Sequence, residues 1–426
     1  MESTSFAVRE HHCANGFRAL LLEAHQAPVV CVSIWYRAGA RHDPPGRSGM
    51  AHLLEHMMFK GTRRHPRGRY DQILHLQGAS NNASTWYDRT NYYIMIGSDR
   101  YPIALELEAD RMRNALLSAE ELARECTVVL NELDRGEDDP ATALFDRIHA
   151  LAFLQHPYRR PVVGWRAEVA RIEAAELQRF YDRYYQPSNA FLVVVGDFVV
   201  ERMVERIEAE FGSLPGVRLP AEETIVEPPQ RGERRCLLRK AGRNRYLAMA
   251  YKAPPRRSPQ SYALDVLAQV LGHGRTSRLY RALVEGGLAV DVAADYSAMP
   301  VDPFLFYLEA ELTRHADVAE VEGCIEQELA RLRREPISER ELARARKRAR
   351  VGFVMRRDSV SARAFLIGEF EVTTGWDYIR DYLERLAAVT PEDVQAAARR
   401  ILVPDERTVG RFEPRDAPER EAEGEA

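Results

Sequence analysis

Lysine is nearly missing from this chain. Of its 60 basic residues only Lys60, Lys240, Lys252 and Lys347 are lysine, a bias that fits a GC-rich coding sequence and carries no functional information. Cysteine is sparse too. Cys13, Cys31, Cys126, Cys236 and Cys324 are odd in number, scattered and free of any C-x-x-C, which argues against a disulfide framework and a thiolate zinc site. No stretch approaches the ~20 apolar residues of a membrane span. The start, Met1-Glu2-Ser3-Thr4-Ser5, lacks the basic segment and apolar run of a secretory leader, although a leader already removed would leave the same pattern. The net charge of −4, with both signs interspersed, gives no case for nucleic acid or a membrane surface. These absences together predict a cytoplasmic protein. With 426 residues, 45% hydrophobic and 29% charged, the chain has the composition of two or three ordinary globular domains.

What is present concentrates in Gly49-Met50-Ala51-His52-Leu53-Leu54-Glu55-His56-Met57-Met58-Phe59-Lys60-Gly61-Thr62. On a helix, His52 and His56 lie four residues apart and project from one face, where two imidazoles can hold one metal ion. Glu55 leans to the same side, placed as a general base toward a water at that metal. The apolar neighbours Leu53, Leu54, Met57, Met58 and Phe59 predict a helix buried almost all round, and buried ionisable groups are costly unless something binds them. With 12 histidines and 64 acidic residues in the chain, a chance H-x-x-[DE]-H is expected only roughly 0.05 times. The competing reading is a pair of core histidines satisfied by backbone carbonyls. The order H-x-x-E-H is the inverzincin motif.

A zinc hydrolase needs a third protein ligand, with the fourth position left open. A helix is expected over Ser118 to Gly136, opened by the capping pair Ser118 and Glu121 and closed at the glycine. Glu125 and Glu132 share one face of it, two turns apart, with Val128 and Val129 between them. Glu132 is the candidate ligand, although alone it could equally be a solvated helix glutamate.

The motif at His52, Glu55 and His56, followed 132 − 56 = 76 residues later by Glu132 and accompanied by Glu125 seven residues before that, resembles the pitrilysin/insulinase (M16) metallopeptidases. The closest branch is the short-chain one that includes bacterial processing-type peptidases and the mitochondrial processing peptidase. Gly78 to Tyr93, His156 to Gly164 and the Gly-rich Gly272-His273-Gly274 are similar to the same family. The resemblance implies a zinc endopeptidase acting on unfolded peptides. His52, His56 and Glu132 would ligate Zn²⁺, with Glu55 as catalytic base and Glu125 orienting a ligand or balancing charge. It also implies that Asn82, Ala83 and Ser84 form a sheet edge beside the zinc, to which a peptide substrate adds as a strand.

Strands are expected at 19–22, 29–36 and 190–195, a hairpin over 82–96, and helices over 70–77, 199–211 and most of 102–185. Pro215, Pro220, Pro228 and Pro229 mark 214–232 as a linker between residues 1–213 and 233–413, and the polar, acidic 414–426 reads as a disordered tail. The second half repeats the first. Ile172, Glu176, Leu177, Tyr184 and Pro187 match Val389, Asp393, Val394, Ile401 and Pro404 at a constant 389 − 172 = 217. Strand 247–252 and helix 261–271 would repeat the first half's strand and zinc helix, without the motif. The expected fold class is α+β: two homologous α/β halves, each an antiparallel sheet flanked by helices, facing each other across a chamber with a single zinc site.

One departure stands out. Active members of the family use an Arg and a Tyr of the second half, seven residues apart, to hold substrate and stabilise the oxyanion. Those positions fall here on Val284 and Val290, while nearby Arg281 and Tyr296 have the wrong spacing. The expectation is therefore a dimer in which a related chain, or a second copy, supplies the pair. The alternative is a non-catalytic assembly subunit on the same fold.

Overall fold

The computed structural model describes residues 7–217, 219, 225–296 and 299–415. In the first half β1 (Arg9–His12), β2 (Arg18–Glu23), β3 (Val29–Tyr36), β4 (Ser80–Thr85), β5 (Thr90–Gly97) and β6 (Ala190–Gly196) form one sheet in the order β1-β2-β6-β3-β5-β4. Its helices are α1 (Met50–Met57), α2 (Arg69–Leu76), α3 (Tyr101–Asn114), α4 (Ala119–Asp138), α5 (Pro140–Ala152), α6 (Arg166–Val169), α7 (Ala174–Tyr184) and α8 (Val200–Ile207). In the second half β7 (Arg234–Ala241), β8 (Arg245–Ala253), β9 (Ala289–Tyr296), β10 (Phe304–Leu312) and β11 (Arg407–Arg415) pair as β7-β11-β8-β10-β9. They are accompanied by α9 (Ser261–Gly272), α10 (Val318–Arg334), α11 (Glu339–Met355), α12 (Val360–Thr373), α13 (Tyr378–Ala388) and α14 (Pro391–Ile401).

The two sheets share one topology. In each half the last strand inserts between two consecutive earlier strands and runs parallel to the first of that pair: β6 lies between β2 and β3, parallel to β2, and β11 between β7 and β8, parallel to β7; the other pairs are antiparallel. The offset read from sequence recurs in the elements: α7 and α14 begin at 174 and 391, and β6 and β11 at 190 and 407, both 217 apart. Strand β1 has no counterpart among the described residues of the second half.

The halves do not face each other across a chamber. They interlock, because each covers its sheet with a helix of the other: α5 lies on β7, β8 and β11, while α12 lies on β3 and β6. The seams are tight enough to require glycine. A Cβ at Gly368 on α12 would sit 2.1 Å from Trp35 Cε2, and one at Gly410 on β11 would sit 2.8 Å from Leu144 Cδ1 of α5. Tyr87, Leu144, Ile148, Phe153 and Tyr158 of the first half share one buried cluster with Ala248, Ala250, Phe304 and Phe412 of the second. The reason is burial: a sheet with helices on one face only leaves the other face apolar, and here the partner half closes it.

Three boundaries differ from expectation. Helix α4 passes through Gly136 to Asp138, because the stop is supplied by Asp139, which caps α5 by accepting from the Thr142 N–H, and by Pro140 at the first position of α5. Strand β11 runs through Pro414 and Arg415, so the region read as a tail begins in a strand; residues 416–426 lie outside the described residues. The linker is tethered as well as extended. Glu227 accepts from the backbone N–H groups of Leu154, Gln155 and His156 at 2.7, 2.9 and 2.9 Å and from Lys252 at 2.9 Å. Burial opposes its charge, but these donors hold its carboxyl down to about 2.

Gly368→Ala is expected to cost about 1–3 kcal/mol of stability, because Trp35 has nowhere to retreat; a lowered urea midpoint checks it. At the other seam burial pushes His149 down to about 4 from the ordinary histidine value of 6.5, against the bond from its Nδ1 to the Phe145 carbonyl. Between those values the unfolded chain binds a proton that the folded chain refuses, so stability falls as pH drops through the window. His149→Phe should therefore narrow the gap between stabilities at pH 7.5 and pH 5 by about 2 kcal/mol, read from urea unfolding at both.

Candidate metal centre

Helix α1 is fixed before it begins. Asp43, fully buried, accepts from the Gly49 N–H at 2.7 Å and the Ala51 N–H at 2.9 Å, satisfying donors that the first turn leaves open. Gly49 holds φ of 87° with its missing Cβ 2.4 Å from the Val163 carbonyl oxygen, so no other residue fits there. The loop ending at Gly164, which resembled the family, is thus the backstop of the helix start. As expected, α1 is buried over Met50 to Glu55 and at Met57, with His56 half-buried.

From this helix His52 Nε2 and His56 Nε2 lie 3.8 and 3.7 Å from one carboxylate oxygen of Glu132 on α4, and the three ligand atoms are all within 4.8 Å of one another. Packing of α1 against α4 brings them together. On α4 the stripe facing α1 carries Leu122, Glu125 and Val129; Val128, expected there, is exposed. Burial, with the neighbouring His56 second, pushes the His52 imidazole down to about 3. One of its ring nitrogens therefore keeps a lone pair free for a metal at neutral pH. His52 Nδ1 is buried without a hydrogen-bond partner among the described residues.

Glu125 is buried at one end of this group. Its Oε2 stands 3.3 Å from His56 Nδ1, and its Oε1 2.5 Å from Lys60 Nζ. Glu55 is 9% exposed, and its Oε2 accepts a 2.5 Å bond from the Thr85 hydroxyl at the end of β4. Burial raises the Glu55 carboxyl above the ordinary range, opposed by the Thr85 hydroxyl and the charges of His56 and Arg89.

Strand β4, with Asn82, Ala83 and Ser84, is the outer strand of its sheet and packs beside α1. Its exposed main chain is partly blunted, because the Ala83 N–H donates to the Asn82 side-chain oxygen at 2.8 Å. Behind it Arg89 donates to the Ser84 carbonyl at 2.9 Å, to the Ser84 hydroxyl and to Asn91 Oδ1 at 2.8 Å, and reaches Glu369 of α12 at 3.1 Å. A cavity of about 450 Å³ lies between this strand and α12, lined by Asn82, Ala83, Ser84, Tyr93, Arg356 and Phe365.

The second half adds no Arg/Tyr pair from the expected stretch. Val284 ends a short π-helical turn and Val290 is exposed on β9. Arg281 lines a cavity with Arg278, Arg331, Arg340 and Arg344 of its own half, and the Tyr296 hydroxyl donates to the Pro254 carbonyl at 2.6 Å. Sequence reasoning missed Asp43, Lys60, Thr85 and Arg89. The last three fall inside the stretches that resembled the family, but nothing in their spacing disclosed the contacts.

Two family models match the chain in succession: insulinase (peptidase family M16) over residues 18–165 and the M16 inactive domain over residues 171–349. The chain belongs to the M16 peptidase family. Among its M16 relatives, zinc protease PqqE of Helicobacter pylori is 29% identical over 87% of this chain and 84% of its own length. An uncharacterized zinc protease of Mycobacterium tuberculosis is 31% identical over 87% of this chain and 85% of its own. A crystal structure of a protease from Helicobacter pylori superposes with a TM-score of 0.91 at 27% identity, covering 96% of this chain and 99% of that one. The periplasmic protease PqqL of Escherichia coli shares the fold with a TM-score of 0.80 at 17% identity, over 97% of this chain but only 48% of PqqL. No helix among the described residues is long and apolar enough to cross a membrane.

Glu132→Ala should remove the one equivalent of zinc expected at His52 and His56, whereas Glu125→Ala, which removes only the carboxylate behind His56, should weaken that equivalent by about 10–100-fold. Competition against a chromogenic chelator distinguishes the two.

Proposed function

We propose that this chain is a zinc-dependent endopeptidase of the M16 type, hydrolysing unfolded peptides. The observation that carries the reading is the convergence of His52, His56 and Glu132 beside the buried carboxyl of Glu55. Two imidazoles, one of them kept neutral by burial, and one carboxylate make a donor set that suits zinc and leaves a coordination position open. A zinc ion held there would supply Lewis acidity, polarising a peptide carbonyl and acidifying a water.

The chain's own residues account for the remaining work. The raised affinity of Glu55 for protons suits it to take one from water and return it to the departing amine nitrogen. The Thr85 hydroxyl fixes the direction in which that carboxylate points. Glu125, itself paired with Lys60, orients His56 through Nδ1. A substrate segment adds to the free edge of β4 at Asn82, Ala83 and Ser84, exchanging the Asn82–Ala83 bond for main-chain bonds of its own. The five cysteines, with Cys13 and Cys31 buried, suit a reducing compartment such as the cytoplasm.

The oxyanion donors are the incomplete part. With valine at 284 and 290, the reading requires a second M16 chain, related or identical, to bring an Arg and a Tyr. PqqL, about twice as long as this chain, carries a comparable fold within one polypeptide. The same valines favour a second reading, a non-catalytic assembly subunit. Against it stands the presence together of His52, Glu55, His56, Glu125 and Glu132, of which His52, Glu55 and Glu125 are buried, a burial from which a purely structural chain gains nothing.

Glu55→Gln is expected to keep bound zinc and lower kcat on an unfolded peptide by about 10²–10⁴-fold. Metal analysis with cleavage assays, run with and without a candidate M16 partner, checks this. Parental turnover in Glu55→Gln sinks the mechanism. A zinc-free protein that cleaves nothing with any partner selects the assembly reading.

A further inference from the structure

A second set of ligand-type side chains meets on the far edge of the first sheet, where β1 passes the end of α8. His11 lies near the end of β1 and Cys13 just beyond it, where the chain enters its turn, and their side chains converge. The chain turns there through a hairpin in which the Cys13 N–H donates to the Phe17 carbonyl at 2.9 Å. Across from them Glu208 opens a π-helical turn, Glu208–Gly212, of the kind that recurs at functional sites. His11 Nε2 stands 2.7 Å from Glu208 Oε1, and His11, Cys13 and Glu208 each offer a ligand atom within 4.8 Å of the other two.

We infer that His11, Cys13 and Glu208 form a second metal site, one that takes a thiophilic divalent cation of the Zn²⁺ class and clasps the outermost strand to the helix layer.

Three features carry it. The donors are nitrogen, sulfur and oxygen on two segments nearly 200 residues apart, and each is of a type that binds zinc. The site is rigid. Asn15 donates to the carbonyls of Phe211 and Leu214 at 2.7 and 3.0 Å, and Phe17 stacks on Phe211 with centroids 4.4 Å apart, fixing hairpin and turn together. Glycine makes room for the carboxylate, since a Cβ at Gly212 would lie 2.3 Å from Glu208 Oε2. The charges also balance: a thiolate and a carboxylate neutralise a divalent ion, while the imidazole adds none. Cys13, 5% exposed, lies beneath the His–Glu pair with its thiol hydrogen-bonded to Glu208; burial and that carboxylate push the thiol up to about 12, so a cation must displace its proton to bind. Loading is balanced as Cys13–SH plus M²⁺ giving Cys13–S⁻–M²⁺ plus one H⁺ released to solvent.

Cobalt(II) reads this site separately from the one at His52, His56 and Glu132, which contains no sulfur. The full chain is stripped with chelator and titrated with Co²⁺. The expected result is a second equivalent of bound cobalt and a near-ultraviolet thiolate-to-cobalt charge-transfer band, present in Glu132→Ala and lost in Cys13→Ser. A wild-type protein that saturates with cobalt but lacks the band overturns the proposal, as does a band that survives Cys13→Ser. Glu208→Gln changes only an exposed carboxylate and should weaken the cobalt affinity of the band by roughly 10-fold or more; an unchanged midpoint also overturns it. Because the readout is spectroscopic, peptidase activity, or its lack, does not bear on the outcome.

Discussion

The guanidinium of Arg89 holds the candidate active site together. It is 8% exposed, lies over the rings of Trp35 and Phe365, and must discharge its hydrogen bonds inside the protein. A buried cation is tolerable only when fully paired. Here the pairing reaches in two directions: to Ser84 and Asn91, which shape the edge strand, and to Glu369 on a helix of the other half. The strand in turn delivers Thr85 to Glu55. A continuous polar path therefore joins the half that lacks the metal motif to the base of the half that has it. The second half is a structural part of the site even though none of its side chains belongs to the candidate ligand set.

How much of this could be read from the sequence depended on the range of the interaction. His52, Glu55 and His56 declare themselves because helical periodicity alone puts them on one face. Glu132 and Glu125 needed the family resemblance, since their approach to α1 is a tertiary event. The duplication was legible through apolar positions repeated at a fixed interval, and the shared strand order explains why that interval survives: each half closes its sheet by the same returning strand. The chamber between halves was misread, because amphipathic pattern reports that a face is buried and not which half buries it. Gly136 was misread as a stop for a local reason; a glycine ends a helix only when nothing beyond it continues the turn, and Asp139 with Pro140 lay three residues on.

The two ligand clusters differ in a way their chemistry explains. At His52, His56 and Glu132 one anion faces a divalent ion, so net positive charge would remain to act on a substrate. At His11, Cys13 and Glu208 two potential anions would quench that charge, and the strand beside it is the one with no counterpart in the repeat. The reading of Cys13 as an isolated thiol followed from its spacing in sequence, where its partner Glu208 is invisible.

The exchange of α5 and α12 has a consequence for the architecture of the gene. Although the polypeptide reads as two tandem copies, neither copy is autonomous: cut at the proline-rich connection, each would present a bare sheet face and an orphaned amphipathic helix. Any recombination that swaps one copy for a foreign one must preserve both Gly368 and Gly410, or the helices will not seat.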